Sequence, residues 1–180
     1  MTGAGGLEPG GLGREALAYV DGLHNLARYL TGNATEAEDL VQETYARALR
    51  AADQFTPGTN LKAWLFRILR NTFISDVRRH RASPVVGGLD TVIPSSQDVG
   101  DETWLRDDFE LERLRGVVAA EIEAALLRLS EDARTVILLD LEGLTEVEVG
   151  HVMDCAVGTV KSRLARARAA LRQYLKDYAR

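Results

Sequence analysis

The chain has 180 residues, 46% hydrophobic and 27% charged, so it can bury the core of one domain or of two small ones. Its 22 Lys+Arg against 27 Asp+Glu give a net charge of −5, which disfavours a simple nucleic-acid coat. One cysteine, Cys155, rules out an internal disulfide, and the isolated His24, His80 and His151 give no zinc spacing.

The first thirteen residues carry six glycines, and a mobile tail is expected over 1–13. From Arg14 to Leu30 an amphipathic pattern runs through Leu17, Val20, Leu23, Leu26 and Ala27 and stops at Gly32. Thr35 with Glu38 has capping-box spacing and opens a helix from Glu36 to Ala52. Its inward face is Ala37, Leu40, Val41, Thr44 and Ala48, which leaves Asp39, Gln42, Glu43 and Arg50 outside. Pro57-Gly58 then marks a turn. A third helix follows over Leu61–Arg81, with Trp64, Leu65, Ile68 and Thr72 inward and a basic run, Arg78-Arg79-His80-Arg81, at its end. Trp64 belongs to the apolar stripe and is read as core.

Residues 82–108 hold Pro84, Gly87-Gly88, Pro94 and many acids without any sustained period, as an acidic flexible linker does. Helical pattern resumes near Phe109 and continues to Leu129. Ser130 caps a helix over Glu131–Glu142, with Val136, Ile137, Leu139 and Leu141 inward and Gly143 as the stop. Thr145 and Glu148 form a second capping box. After a few residues, Asp154 to Val157, another helix opens near Gly158-Thr159, as in a helix-turn-helix. Val160, Leu164, Ala167, Leu171 and Tyr178 fall on one side of it, and Thr159, Lys161, Ser162 and Arg166 point away. An apolar docking face opposite hydroxyls and cations is what a reader of the DNA major groove requires. The predicted fold is all-α, two small helical domains joined by the linker.

Charge resolves along the chain in the same way. Residues 61–84 carry six basic groups and one acidic, and 158–180 carry seven and one, while 85–132 is net −8 and 133–157 net −4. Two compact basic segments therefore sit on patterned helices inside an acidic protein, and phosphate contacts need cations of that local kind.

Two separate stretches resemble one family, the extracytoplasmic-function (ECF) sigma factors of bacterial RNA polymerase. AEDLVQETYARAL (37–49) with FTPGTNLKAWLFRILRNTFISDVRR (55–79) is similar to the family's region 2, and 129–171, containing GTVKSRL, to its region 4. The resemblance implies domains over 14–81 (region 2) and 109–180 (region 4). It implies that Asp39, Gln42 and Glu43 grip the clamp helices of the polymerase largest subunit, with the flap of the second largest as a further contact. The loop and helix after them would capture a flipped base of the −10 element, through Phe55, Asn60 and Asn71, and meet phosphates through Lys62, Arg67, Arg70, Arg78 and Arg79. Thr159, Lys161, Ser162, Arg163 and Arg166 would read the −35 element. A sigma factor's partners are core polymerase, promoter DNA and, in many cases, an anti-sigma factor. Within the family pattern Gly150 stands where alanine is usual and Ala156 where proline is frequent, so the first helix of the helix-turn-helix is expected to be weakened. Asp154 stands at the turn where glycine is usual.

The bland readings stand beside these. Cys155 is a small turn residue with no second thiol to pair, and His151 a solvated helix position. Asp39 and Glu43 face outward without a histidine, so no metal or acid–base pair is expected there. Neither a GxSxG, a Walker loop nor a dinucleotide fingerprint occurs. No catalysis, metal or cofactor is expected, and with no apolar run of membrane length and no leader-like amino terminus the protein is expected in the bacterial cytoplasm, without membrane insertion. Two alternatives stay open: a sigma-like decoy that sequesters an anti-sigma factor, and a ligand-sensing helix-turn-helix repressor.

Overall fold

Local capping chemistry sets most of the helix limits. A computed structural model describes residues 9–82 and 106–176, with their side chains over 11–80 and 116–176. Among the described residues all regular structure is helical. The first module holds α1 (Pro9–Ala16), a 3-10 turn, α2 (Val20–Thr31), α3 (Ala34–Arg50) and α4 (Leu61–Ala82). The second holds α5 (Arg106–Leu127), α6 (Glu131–Leu141), α7 (Glu146–Met153) and α8 (Val157–Tyr174). The all-α, two-module reading of the sequence holds.

Several details differ from the sequence reading. Helix α1 begins at Pro9, inside the stretch expected as a tail, because Leu12 and Ala16 have a core to enter: both are buried. Helix α3 is capped by Asn33, whose Oδ1 accepts the Glu36 backbone N–H at 3.2 Å, and not by Thr35. Asparagine is at least as good a cap, and Gly32 at φ 69° has just turned the chain. In α6, Leu138 is buried and Leu141 is 73% exposed, the reverse of the expected pattern. The expected Tyr178 of the last helix lies outside the described residues, as does most of the linker.

The inward face of α3 is the expected one, Ala37, Leu40, Val41, Thr44 and Ala48. It packs on Leu23, Leu26 and Ala27 of α2 and on Leu65, Phe66 and Leu69 of α4, and each such buried leucine stabilises by about 1.5–3 kcal/mol. Buried Thr44 and Thr72 satisfy their hydroxyls on the carbonyls four residues back, Leu40 and Ile68, at 2.7 and 2.8 Å. In the second module Val136 and Leu139 of α6, Val149 and Val152 of α7 and Val160, Leu164 and Ala167 of α8 close a three-helix core.

Helix α4 buries a wider arc than one amphipathic stripe. Phe66 and Leu69 join Leu61, Leu65 and Thr72 inside, while Trp64 and Ile68 are half-buried. The cause is that α4 is covered on two sides, by α2 and α3 within its own module and by α7 of the other. The two modules thus meet along α4.

Candidate polymerase and nucleic-acid interfaces

Helix α3 presents Asp39 and Gln42 to solvent, opposite the buried Leu40 and Val41. Glu43 is half-exposed and bound by its own helix. Arg47 Nε lies 2.7 Å from Oε1 and Arg50 Nη2 3.7 Å from Oε2. The hydrogen bond from Arg47, with the nearby Arg50 and Arg79, holds the Glu43 carboxyl below its ordinary value against the effect of burial. Asp39 and Gln42 are the free part of this face.

The Pro57-Gly58 turn is closed by the Thr59 N–H donating to the Thr56 carbonyl at 3.2 Å, with Gly58 at φ 85°. Phe55 does not stand out from it as a platform. Its ring is buried, 5.2 Å from the Trp64 centroid and tilted 53° to it, because two large apolar rings gain more against each other than in water. The expectation of an exposed stacking surface at Phe55 is therefore corrected: it is a core residue that shapes the loop. Asn60 is exposed but occupied twice. Its Oδ1 accepts the Ala63 N–H at 3.3 Å, which caps α4, and its Nδ2 donates to Glu148 Oε1 at 2.7 Å.

The cations of α4 divide by the partner they meet. Lys62 Nζ donates to the Glu142 carbonyl and stands 2.7 Å from its Oε2, with the Tyr19 ring 5.9 Å away. Arg70 lies 3.9 Å from Asp132. Arg67 is exposed and lines an open cleft with His151, Asp154 and Cys155 of the helix-turn-helix. Asn71, Arg78 and Arg79 are also exposed, and Arg79 reaches Asp76 at 3.3 Å.

In the second module the Thr145–Glu148 capping box forms as expected, the Glu148 carboxylate accepting the Thr145 N–H at 2.7 Å. Asp154 takes the left-handed conformation at φ 52°, and the Cys155 N–H closes the turn on the Gly150 carbonyl at 3.0 Å. This assigns a reason to Gly150. A Cβ there would come 2.9 Å from the Cys155 carbonyl oxygen, so the glycine permits the turn and is not a mere weakening of α7. On α8, Lys161, Ser162 and Arg166 are exposed and Thr159 is half-buried. Arg163 folds back onto Asp132 at 2.7 Å, beside the Cys155 sulfur at 3.8 Å, so it braces the module and is not presented with the other three. Lys161 is 3.5 Å from Glu146.

Sequence reasoning missed Arg134. Its guanidinium donates to the carbonyls of Leu126, Leu127 and Leu129 at the end of α5, and to that of Tyr29 in the other module, at 3.0–3.1 Å. It missed Glu142, Glu148 and Asp132 as partners of α4 as well. The available signal was charge: a net +5 segment, 61–84, and a net −4 segment, 133–157, in one chain.

Comparison with known proteins fits this arrangement. Residues 16–83 match the model for sigma-70 region 2, and residues 119–171 match that for sigma-70 region 4. This chain belongs to the ECF RNA polymerase sigma factors. It is 40% identical over 158 residues to EcfG of Rhodopseudomonas palustris, covering 87% of this chain and 81% of that protein. It is 33% identical to SigW of Bacillus subtilis, covering 88% and 86%. Among solved structures it is similar to the sigma factor RpoE in complex with the anti-sigma factor NepR from Bartonella quintana. That match has a TM-score of 0.66 and 36% identity, covering 91% of this chain and 95% of that one. CnrH in complex with the cytosolic domain of CnrY superposes with a TM-score of 0.61 at 26% identity, covering 94% and 90%. As an ECF sigma factor the chain directs RNA polymerase to promoters for transcription initiation. No described helix is long and apolar enough to cross a membrane.

Proposed function

We propose that the sigma function is divided among three faces of this molecule. Asp39 and Gln42 on α3 engage the clamp helices of the polymerase largest subunit. Asn60, Asn71 and the cations of α4 engage the −10 element, with Phe55 acting from inside by setting the loop. Lys161, Ser162 and Arg166 of α8 enter the major groove at the −35 element, and the flap of the second largest subunit is a further contact of the second module.

The observation that carries this reading is the division of α8. Val160, Leu164 and Ala167 dock it on α6 and α7 while Lys161, Ser162 and Arg166 stay in solvent, which is the geometry a recognition helix needs. An anti-sigma factor is a natural further partner, because one similar solved structure is a sigma factor in complex with an anti-sigma factor. The protein acts in the cytoplasm, with its polymerase, and without cofactor or catalysis of its own.

Run-off transcription with bacterial core polymerase on a promoter library tests the assignment. Specific transcripts from a shared −35/−10 pattern are expected. Binding to an anti-sigma factor without any transcript would support the decoy reading instead.

A further inference from the structure

The cations of α8 divide by what holds them. Arg163 and Arg168 are drawn to acids of α6, each 2.7 Å from its carboxylate, Asp132 and Asp140 respectively. Arg166 turns its Nε to the Ser162 carbonyl of its own helix and meets no acid among the described residues. Lys161, on the same outer face, is held differently. Its Nζ lies 3.5 Å from Oε2 of Glu146, the first residue of α7. The cap of α7 does not use Glu146. The capping box is made by Thr145 and Glu148, whose carboxylate accepts the Thr145 N–H at 2.7 Å and its hydroxyl at 2.8 Å. An acid in the first turn adds a weak interaction with the helix dipole, and Glu148 already supplies one. The box fixes the start of α7, so Glu146 is presented at a set place beside the recognition helix.

That place matters for DNA. In a helix-turn-helix the second helix enters the groove while the first crosses the sugar-phosphate backbone, where a carboxylate repels phosphate. A free lysine ammonium on its flexible four-carbon stem follows the nearest phosphate, whatever the sequence. One anchored by a carboxylate keeps two of its three donors in a set direction. We propose that Glu146 is a positioning residue of the −35 interface: by holding Lys161 it makes this lysine a reader of base edges and not a tether to phosphate. The group it fits is the O6/N7 acceptor pair of guanine, which a lysine in the major groove matches. The inference rests on the −35 assignment above. Specificity then comes in part from what Glu146 forbids. With an anion toward the backbone and its partner lysine anchored, α8 gains little from a wrong sequence.

The test uses holoenzyme assembled from the full chain and bacterial core polymerase, on a promoter recovered from the transcription library. Wild type must first prefer that promoter over a copy with a scrambled −35 element; equal use of both removes the −35 assignment, and this inference with it. Glu146→Ala, Lys161→Ala and the double variant are then compared by competition binding at two salt concentrations. Glu146→Ala leaves the Thr145–Glu148 box in place, so it should fold. It is expected to bind the scrambled copy about threefold more tightly at low salt and to steepen its salt slope by about one. The ratio of cognate to scrambled binding should fall about three- to tenfold. In the Lys161→Ala background the same substitution should leave slope and ratio unchanged. A purely structural role would lower the melting temperature of Glu146→Ala and leave the ratio where it was, which overturns the proposal. A fall of the same size without Lys161 overturns it too, because Glu146 would then act through its own charge.

Discussion

Gly150 shows how one missing methyl decides a turn. In helix interiors alanine is better than glycine by about 1 kcal/mol, so propensity alone predicts that Gly150→Ala stabilises α7. The Cys155 carbonyl 2.9 Å from the would-be Cβ is backbone and cannot swing aside. Gly150→Ala should therefore lower stability, by about 1–2 kcal/mol net, as overpacking does; a higher denaturant midpoint for the variant would refute this. Arg166 makes the matching functional point. Its side chain is exposed on α8, with Nε on the Ser162 carbonyl at 3.2 Å, a bond it can exchange for a base edge. Arg166→Ala should cost about 1–3 kcal/mol of promoter discrimination and relax one −35 position in a library selection. Arg172, farther along α8, should weaken all sequences alike when replaced by alanine and reduce the salt slope by about one.

At the scale of elements, faces matter more than single groups. Replacing Asp39 by Arg or Gln42 by Ala alters only the solvent side of α3, whose inner residues are buried. Both variants should melt within about 0.5 kcal/mol of wild type yet lose affinity for core polymerase in interferometry. Equal core binding by both would remove α3 from the polymerase interface. The start of α7 supplies a pH dependence. Burial raises the Glu148 carboxyl, but the Thr145 N–H, the Asn60 amide, the Thr145 hydroxyl and His151 together bring it below its ordinary value of 4.5. A depressed folded-state value means stability that is present above about pH 4.5 and lost as pH falls below that through the lower folded-state value. Glu148→Gln keeps the cap but has no proton to take up, so its denaturant midpoint should fall less than that of wild type on acidification through this range; parallel curves would count against the assignment.

For the whole molecule the deciding contact is Arg134. Its burial lowers the guanidinium from its ordinary value, opposed by Glu131 and Tyr29, yet it still donates to four carbonyls in two modules. Arg134→Met keeps the apolar stem and leaves those carbonyls to water. The loss should be about 1–3 kcal/mol, and calorimetry should show one cooperative transition broadening into two as the modules uncouple. A single transition at an unchanged temperature would show that the modules are held by α4–α7 packing alone.

The sequence by itself determined the helices, their order and the outward stripes, because these follow from a local period and from capping groups a few residues away. The faces of α3 and α8 were legible for that reason, and so was the turn at Pro57-Gly58. Tertiary structure decided which of those surfaces are open. Phe55 went inside because Trp64 was there to receive it. Phe66 and Leu69 were buried because α4 has neighbours on two sides, and no periodicity within α4 records a second neighbour. Asn60 and Lys62 met Glu148 and Glu142 across separations of 88 and 80 residues, and complementary net charge hinted at attraction without specifying pairs. A period along one helix carries no information about what lies opposite it, and only folding brings those charges within bonding distance.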